Sequence, residues 1–222
     1  MERRRIVFGD YDTAQVGPWT LASWTFSVPD YQANLVTVPG RDGLLDLSGV
    51  LTNGEPSYND RVLTARLECS EGTREDRVRL VDDIVNRLDG RRLDIILPDD
   101  PEHYVTGRVH VQPEYNDMAH AAVVVSATCG PWRYALEERT LSLELTNAEQ
   151  LTVLPNSGRR AVVPQVVVSG ASASAFLTVG EKQWRLGAGV HKLTGLLLRT
   201  GNTALTYSGY GKVAITYREA VL

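Results

Sequence analysis

Lysine is missing from the first 140 residues of this 222-residue chain, and only three lysines occur in the remainder. Long apolar runs are missing as well. None approaches the roughly 20 residues that a membrane-spanning helix needs, so no spanning helix is expected. The start, Met1-Glu2-Arg3-Arg4-Arg5, leads into a run of only Ile6-Val7-Phe8, and an ordinary secretory leader is not expected either. The four histidines, at 103, 110, 120 and 191, stand singly, with no cysteine or second histidine within four residues, which leaves no ordinary zinc spacing. Gly187-x-Gly189 lacks the third glycine of a dinucleotide loop. Gly211-Lys212 lacks both the upstream glycine and the following Ser or Thr of a phosphate loop, and there is no Gly-x-Ser-x-Gly elbow.

What the chain does have is 43% hydrophobic residues, the composition of a folded globular protein, and a formal net charge of −4 that conceals a division. Residues 1–140 carry 15 Arg against 23 Asp and Glu, net −8, while residues 141–222 carry five Arg, three Lys and four acids, net +4. A half at −8 repels phosphate, and the other half has no basic cluster larger than Arg159-Arg160, so neither half is suited to nucleic-acid binding. The asymmetry points to two domains, 1–140 and 141–222, joined somewhere in residues 134–147.

The pattern of residues changes at the same place. Early short runs at 5–8, 24–28 and 35–38 read as strands, the last two ended by Pro29 and Pro39. Pro39-Gly40-Arg41-Asp42-Gly43 is a strong turn, and Asn53-Gly54 and Asn59-Asp60 mark further turns. Residues 61–69 alternate, with Leu63, Ala65, Leu67 and Cys69 on one face. One amphipathic helix follows: Thr73 caps it with Asp76 as a shortened capping-box partner, Val78, Val81, Ile84, Val85 and Leu88 form its apolar stripe, and Gly90 stops it. Strands are then expected at 93–97, 104–111 and 119–129, with a turn at 98–101. Beyond residue 140 short segments, including separate strands at 165–168, 176–179, 204–207 and 212–217, are punctuated by glycines, and 200–203 reads as a hairpin turn. Many short strands without a helix predict a small antiparallel β-sandwich. The fold class is therefore mainly β with one amphipathic helix.

Candidate chemistry is sparse. Asp99, Asp100, Glu102 and His103 form the best oxygen-ligand cluster, in a turn whose ordinary reading is a solvated one, and no metal or cofactor is expected. Cys69 and Cys129 each end an apolar strand face, and two readings stand: buried reduced thiols, or a disulfide joining the strand ends. Trp184 and Tyr210 are glycan-stacking candidates, against the reading of core and strand-pair aromatics. Asp82 and Asp83 are adjacent on the helix, about 100° apart, and cannot face one another as a catalytic pair. No catalytic residue is assigned.

The order of these features resembles the phage distal tail proteins. The resemblance is carried by the 39–46 segment Pro-Gly-Arg-Asp-Gly-Leu-Leu-Asp, the Tyr58-Asn59-Asp60-Arg61 lead into a strand and the strand-helix-strand run over 63–97. It continues through Tyr104-Val105-Thr106-Gly107-Arg108-Val109 and a strand ending Cys129-Gly130-Pro131-Trp132. Asn156-Ser157-Gly158, the 163–168 segment and the closing 211–219 segment look like the family's C-terminal galectin-like β-sandwich. That module is short here, with no room for an inserted receptor-binding domain.

The resemblance implies an N-terminal ring-forming belt domain and a non-enzymatic hub. That hub would be a homo-oligomer, a hexamer in the family, joining the tail tube protein to tail-tip hub, tape-measure or fibre proteins. It implies a place at the distal end of the virion's tail after synthesis in the host cytoplasm, a channel for DNA, and neither specific nucleic-acid nor membrane binding. A net −8 half suits a ring around passing DNA. Arginine without lysine suits bidentate ring contacts, though a GC-rich genome accounts for the same bias. Ring-interface candidates are Arg41, Asp42, Asp46 and Asp60. The alternatives are a carbohydrate-binding module on a virion or cell surface, and an enzyme whose site is assembled from residues distant in sequence.

Overall fold

The computed structural model describes residues 4–50, 52, 54–114, 120–193 and 195–222, with the backbone alone at 171 and 172. Contacts divide the chain into one unit ending at Arg133 and a second spanning Tyr134–Leu222. Asn53 and Ala119, which belong to an expected turn and an expected strand start, lie outside the described residues.

In the first unit the elements are β1 (Val7–Phe8), β2 (Tyr11–Asp12), β3 (Thr20–Phe26), β4 (Leu35–Thr37), β5 (Leu44–Asp46), β6 (Arg61–Cys69), α1 (Arg74–Leu88), β7 (Arg92–Leu97), β8 (Asp100–Glu114) and β9 (Ala121–Cys129). A sheet runs in the hydrogen-bonded order β2-β1-β7-β8-β9-β6-β3, and β4 and β5 form a separate two-stranded hairpin. The alternation expected over 61–69 is present: Leu63, Ala65, Leu67 and Cys69 are buried, opposite Ala127, Val125, Val123 and Ala121 of β9. The face they share receives α1 through Val81, Ile84 and Leu88. Both halves of the capping box form, the Thr73 hydroxyl accepting from the Asp76 N–H and the Asp76 carboxylate accepting from the Thr73 N–H. Val78, expected on the apolar stripe, is 48% exposed, because at about 100° per residue it falls to one side of the line through Val81, Ile84 and Leu88.

β8 begins earlier than the pattern suggests. Leu97 pairs with Asp100, so the turn is only Pro98-Asp99, and Pro101 sits inside the strand rather than ending it. Cys69 lies opposite Ala121 and Cys129 opposite Arg61, which puts the thiols at the two ends of the β6–β9 ladder. Eight residue steps separate them, about 27 Å at the rise of an antiparallel strand. A disulfide requires Cα atoms within about 7 Å, so both are free, buried thiols.

β10 (Arg133–Ala135) carries the chain into the second unit. The strands there are β11 (Arg139–Leu145), β12 (Gln150–Asn156), β13 (Gln165–Val179), β14 (Lys182–Gly187), β15 (Gly189–Lys192), β16 (Gly201–Tyr217) and β17 (Ala220–Val221). The sequence suggests separate strands at 165–168 and 176–179, and at 204–207 and 212–217. Each pair is instead one long strand, and residues 201–203 are part of β16, paired with β12, rather than a hairpin turn. The glycines bend these strands without ending them: Gly170 has φ +131°, Gly209 +133° and Gly211 +98°, and the register shifts between Ser169 and Ser174. One half of β16 pairs with β11 and the other with β12, while β13 pairs with β15 through one half and β14 through the other. Buried residues from both sides of the bend, Val166, Val168, Val213 and Ile215 from one and Ala175, Leu177 and Leu205 from the other, share a single core. The result is a sandwich made by folding one antiparallel sheet on itself.

The joint is closed within this unit. The Ala135 N–H donates to Glu219 O at 3.0 Å, and the Arg218 guanidinium donates to the Ala135 and Leu136 carbonyls.

Two predictions follow from this packing. A Cβ on Gly209 would lie 1.9 Å from Ser174 O in a backbone conformation that side chains rarely adopt. Gly209→Ala should destabilise the second unit by roughly 3 kcal/mol or more, read from Trp184 fluorescence, the unit's one tryptophan, during denaturant unfolding. In the first unit, burial pushes the Tyr11 phenol, which accepts from the Trp19 indole N–H at 2.9 Å, up to about 12, and the Cys129 thiol up to about 11. Both groups keep their protons longer in the folded chain. The stability this confers is complete below the unfolded values and is lost as pH rises through the folded ones. For Tyr11 the loss develops as pH rises from about 10 to about 12, and Tyr11→Phe should flatten the alkaline fall in the urea midpoint.

Candidate functional site

β3 and β6 are antiparallel neighbours, which a two-residue turn can join. The chain instead places 34 residues between Phe26 and Arg61. Connections this long inside a compact unit are uncommon and usually functional. From Asp30 to Asp60 no described residue is buried, and none joins the core of either unit. This is not for lack of apolar residues: Leu35 is 51% exposed, Leu44 53% and Val50 66%. An isolated two-stranded hairpin is marginal in water, and apolar side chains that bury nothing in the single chain mark a surface used elsewhere.

The root of this arm is held firmly. The Ser27 N–H donates to Val62 O at 3.0 Å, the Val62 N–H donates to Ser27 Oγ at 2.9 Å, and Arg61 Nε donates to Ser27 O at 2.6 Å. The Arg61 guanidinium stacks 3.7 Å above the Phe26 ring. Burial, with Arg133 nearby, holds its pKa below the ordinary arginine value. Tyr31, Tyr58 and Trp132 stack edge to face, with ring centroids 6.2 and 5.6 Å apart. An open hollow of about 550 Å³ between 32–34 and 47–57 is lined by Gln32, Asn34, Ser48 and Thr52 with Leu47 and Val50, and none of its described lining residues is charged.

Three of the four interface candidates belong to the arm's hairpin. Arg41 and Asp42 are exposed at its tip, where Gly40 and Gly43 take φ of +79° and +76° as the turn requires. Asp46 ends β5, and the Ser48 hydroxyl and backbone N–H hold its carboxyl below the usual range. Asp60 is exposed at the root, one residue before β6. Nothing in the sequence marks the apolar residues at 35, 36, 44 and 50 as exposed. The long gap between two pairing strands is the signal that finds them, and it needs the pairing first.

The other candidates do not assemble. Trp184 pairs with Leu177, a core residue, and so faces inward against the second core, whereas Tyr210 is 58% exposed and accepts from the Asn147 side chain. The two share no platform. His103 Nδ1 lies 2.7 Å from Asp100 Oδ1 and Arg133 Nη1 2.6 Å from Asp100 Oδ2, so both carboxylate oxygens are engaged. Among the described residues no group of three possible metal ligands forms.

A mainly β chain of two units, one with a helix-backed sheet and a long arm, the other a bent-strand sandwich, is a fold already seen in a phage protein. The chain is similar over 98% of its length, and over 99% of the other chain, to the crystal structure of the phage SPP1 Dit protein (gp 19.1), at a TM-score of 0.71 and 17% identity. That protein is described as a paradigm of the hub adsorption apparatus in phages infecting Gram-positive hosts. No family model and no curated protein matches the sequence.

Because the arm adds nothing to either core, replacing Leu35, Val36 and Leu44 with serine should leave the urea midpoint of the single chain within about 0.5 kcal/mol per substitution. A cooperative loss of several kcal/mol would show that the arm is part of the fold rather than a surface.

Proposed function

We propose that this chain is a structural, non-enzymatic protein of a phage tail tip. In this reading copies of it form a ring, a hexamer, that continues the distal end of the tail tube, joins it to tip, baseplate or fibre proteins and leaves a channel for DNA. The observation that carries the reading is the full-length likeness to the SPP1 hub protein, which accounts for both units and their order. The exposed arm supports it, since a 31-residue stretch with no buried described residue is what an assembling chain presents before it meets its neighbour. In this reading the first unit makes the ring, the galectin-like second unit faces the other tip proteins, and Arg41, Asp42, Asp46 and Asp60 lie at contacts between copies. The acids of the first unit discourage DNA from adhering to the passage.

Light scattering coupled to size exclusion, with negative-stain images of the peak, tests it. The expected result is rings with six times the 24.5 kDa mass of the chain at high concentration. A monomer at every concentration, both alone and with tail tube protein, overturns the ring.

A further inference from the structure

β3 ends the hydrogen-bonded order of the first unit, and among the described residues no backbone bond reaches its outer side. Natural edge strands are usually blunted by shortness, by lysine, by proline or by bulges. β3 is seven residues long, and Thr20-Leu21-Ala22-Ser23-Trp24-Thr25-Phe26 contains no charge and no proline, only a register shift between Leu21 and Ser23. The opposite edge of the sheet, β2, is two residues long. Since the Ser27 N–H points to β6, alternation along the strand turns the Trp24 and Phe26 N–H groups outward.

The arm carries the matching half. All three residues of β4 are exposed, and among the described residues β4 pairs with β5 alone. The Leu47 N–H donates to Asn34 O at 2.8 Å, so the same alternation turns the Leu35 and Thr37 N–H groups away from β5, and the flanking Asn34 and Val38 are uncharged. The arm holds Asp30, Asp42, Asp46, Glu55 and Asp60 against Arg41. Two arms therefore repel, which disfavours an arm-to-arm contact across a two-fold axis, while β3 offers a neutral edge. A contact between two different surfaces is heterologous, and it closes into a ring when the rotation permits.

We propose that β4 of one copy adds as a strand to the outer edge of β3 in a second copy of this chain. This rests on the ring reading above and names the contact that builds it. Leu35→Pro removes an outward donor without touching the β4–β5 bonds, and Leu35→Lys keeps the donor but charges the edge.

The test combines sedimentation velocity with hydrogen exchange of a peptide covering residues 20–26, on the full chain and both variants, with circular dichroism to show that each is folded. The assembled wild type should protect the outward amides of β3 at least tenfold over the Leu35→Pro chain. That variant should stay monomeric at ten times the concentration at which the wild type assembles, and Leu35→Lys should assemble more weakly. Assembly of the wild type with unprotected β3 amides, or wild-type assembly by Leu35→Pro, overturns the strand addition and leaves the ring reading intact. A wild type that never assembles overturns both.

Discussion

Leu93, Gly107, Cys129 and Arg61 lie in one row across β7, β8, β9 and β6, and the close approach in the middle of that row sets the rest of the first unit. A Cβ at Gly107 would come within 2.5 Å of Cys129 Sγ, so the thiol occupies the space that any side chain at 107 would need. Because side chains alternate, a slip of one residue in any of these ladders would turn an entire apolar face to water. The glycine and the thiol tie the register together at a point where a side chain at 107 would collide with Cys129. The row ends on Arg61, whose Nε holds the Ser27 carbonyl, so the alignment that organises the core also fixes where the arm departs.

That arrangement separates two jobs within one unit. The face carrying Leu63, Ala65, Leu67, Val123, Val125 and Ala127 is closed by α1, and the sheet is complete without residues 30–60. The arm in turn keeps its own order through local bonds, Asn34 N–H to Ser48 Oγ and Ser48 N–H to the Asp46 carboxylate among them. It is ordered enough to present a strand, yet nothing in the single chain buries that strand.

Much of this was legible in the sequence where the information is local. The alternation of residues 61–69, the Thr73–Asp76 capping box and the buried face of 121–129 follow from periods and caps that neighbouring residues determine. What was not legible depends on distant partners. Glycines at 170, 209 and 211 look the same to a local reading whether the chain turns back or bends through a continuing strand, and only pairing with β12, β14 and β15 distinguishes the two. Leu35-Val36-Thr37 likewise has the composition of a core strand, and burial is a property of what packs on it. At the candidate site, Arg41, Asp42, Asp46 and Asp60 entered through the resemblance and the ring contacts it implies, while the apolar residues among them looked like ordinary core until the two cores were seen to close without them.

The bends at Gly170, Gly209 and Gly211 also govern how the second unit comes apart. β13 and β16 each belong to both layers of the sandwich, so neither layer has a boundary at which it could open while the other persists. Layers held by separate strands can fray one at a time. Here, loosening one layer withdraws the strands that form the other, and the unit should melt as a single cooperative block.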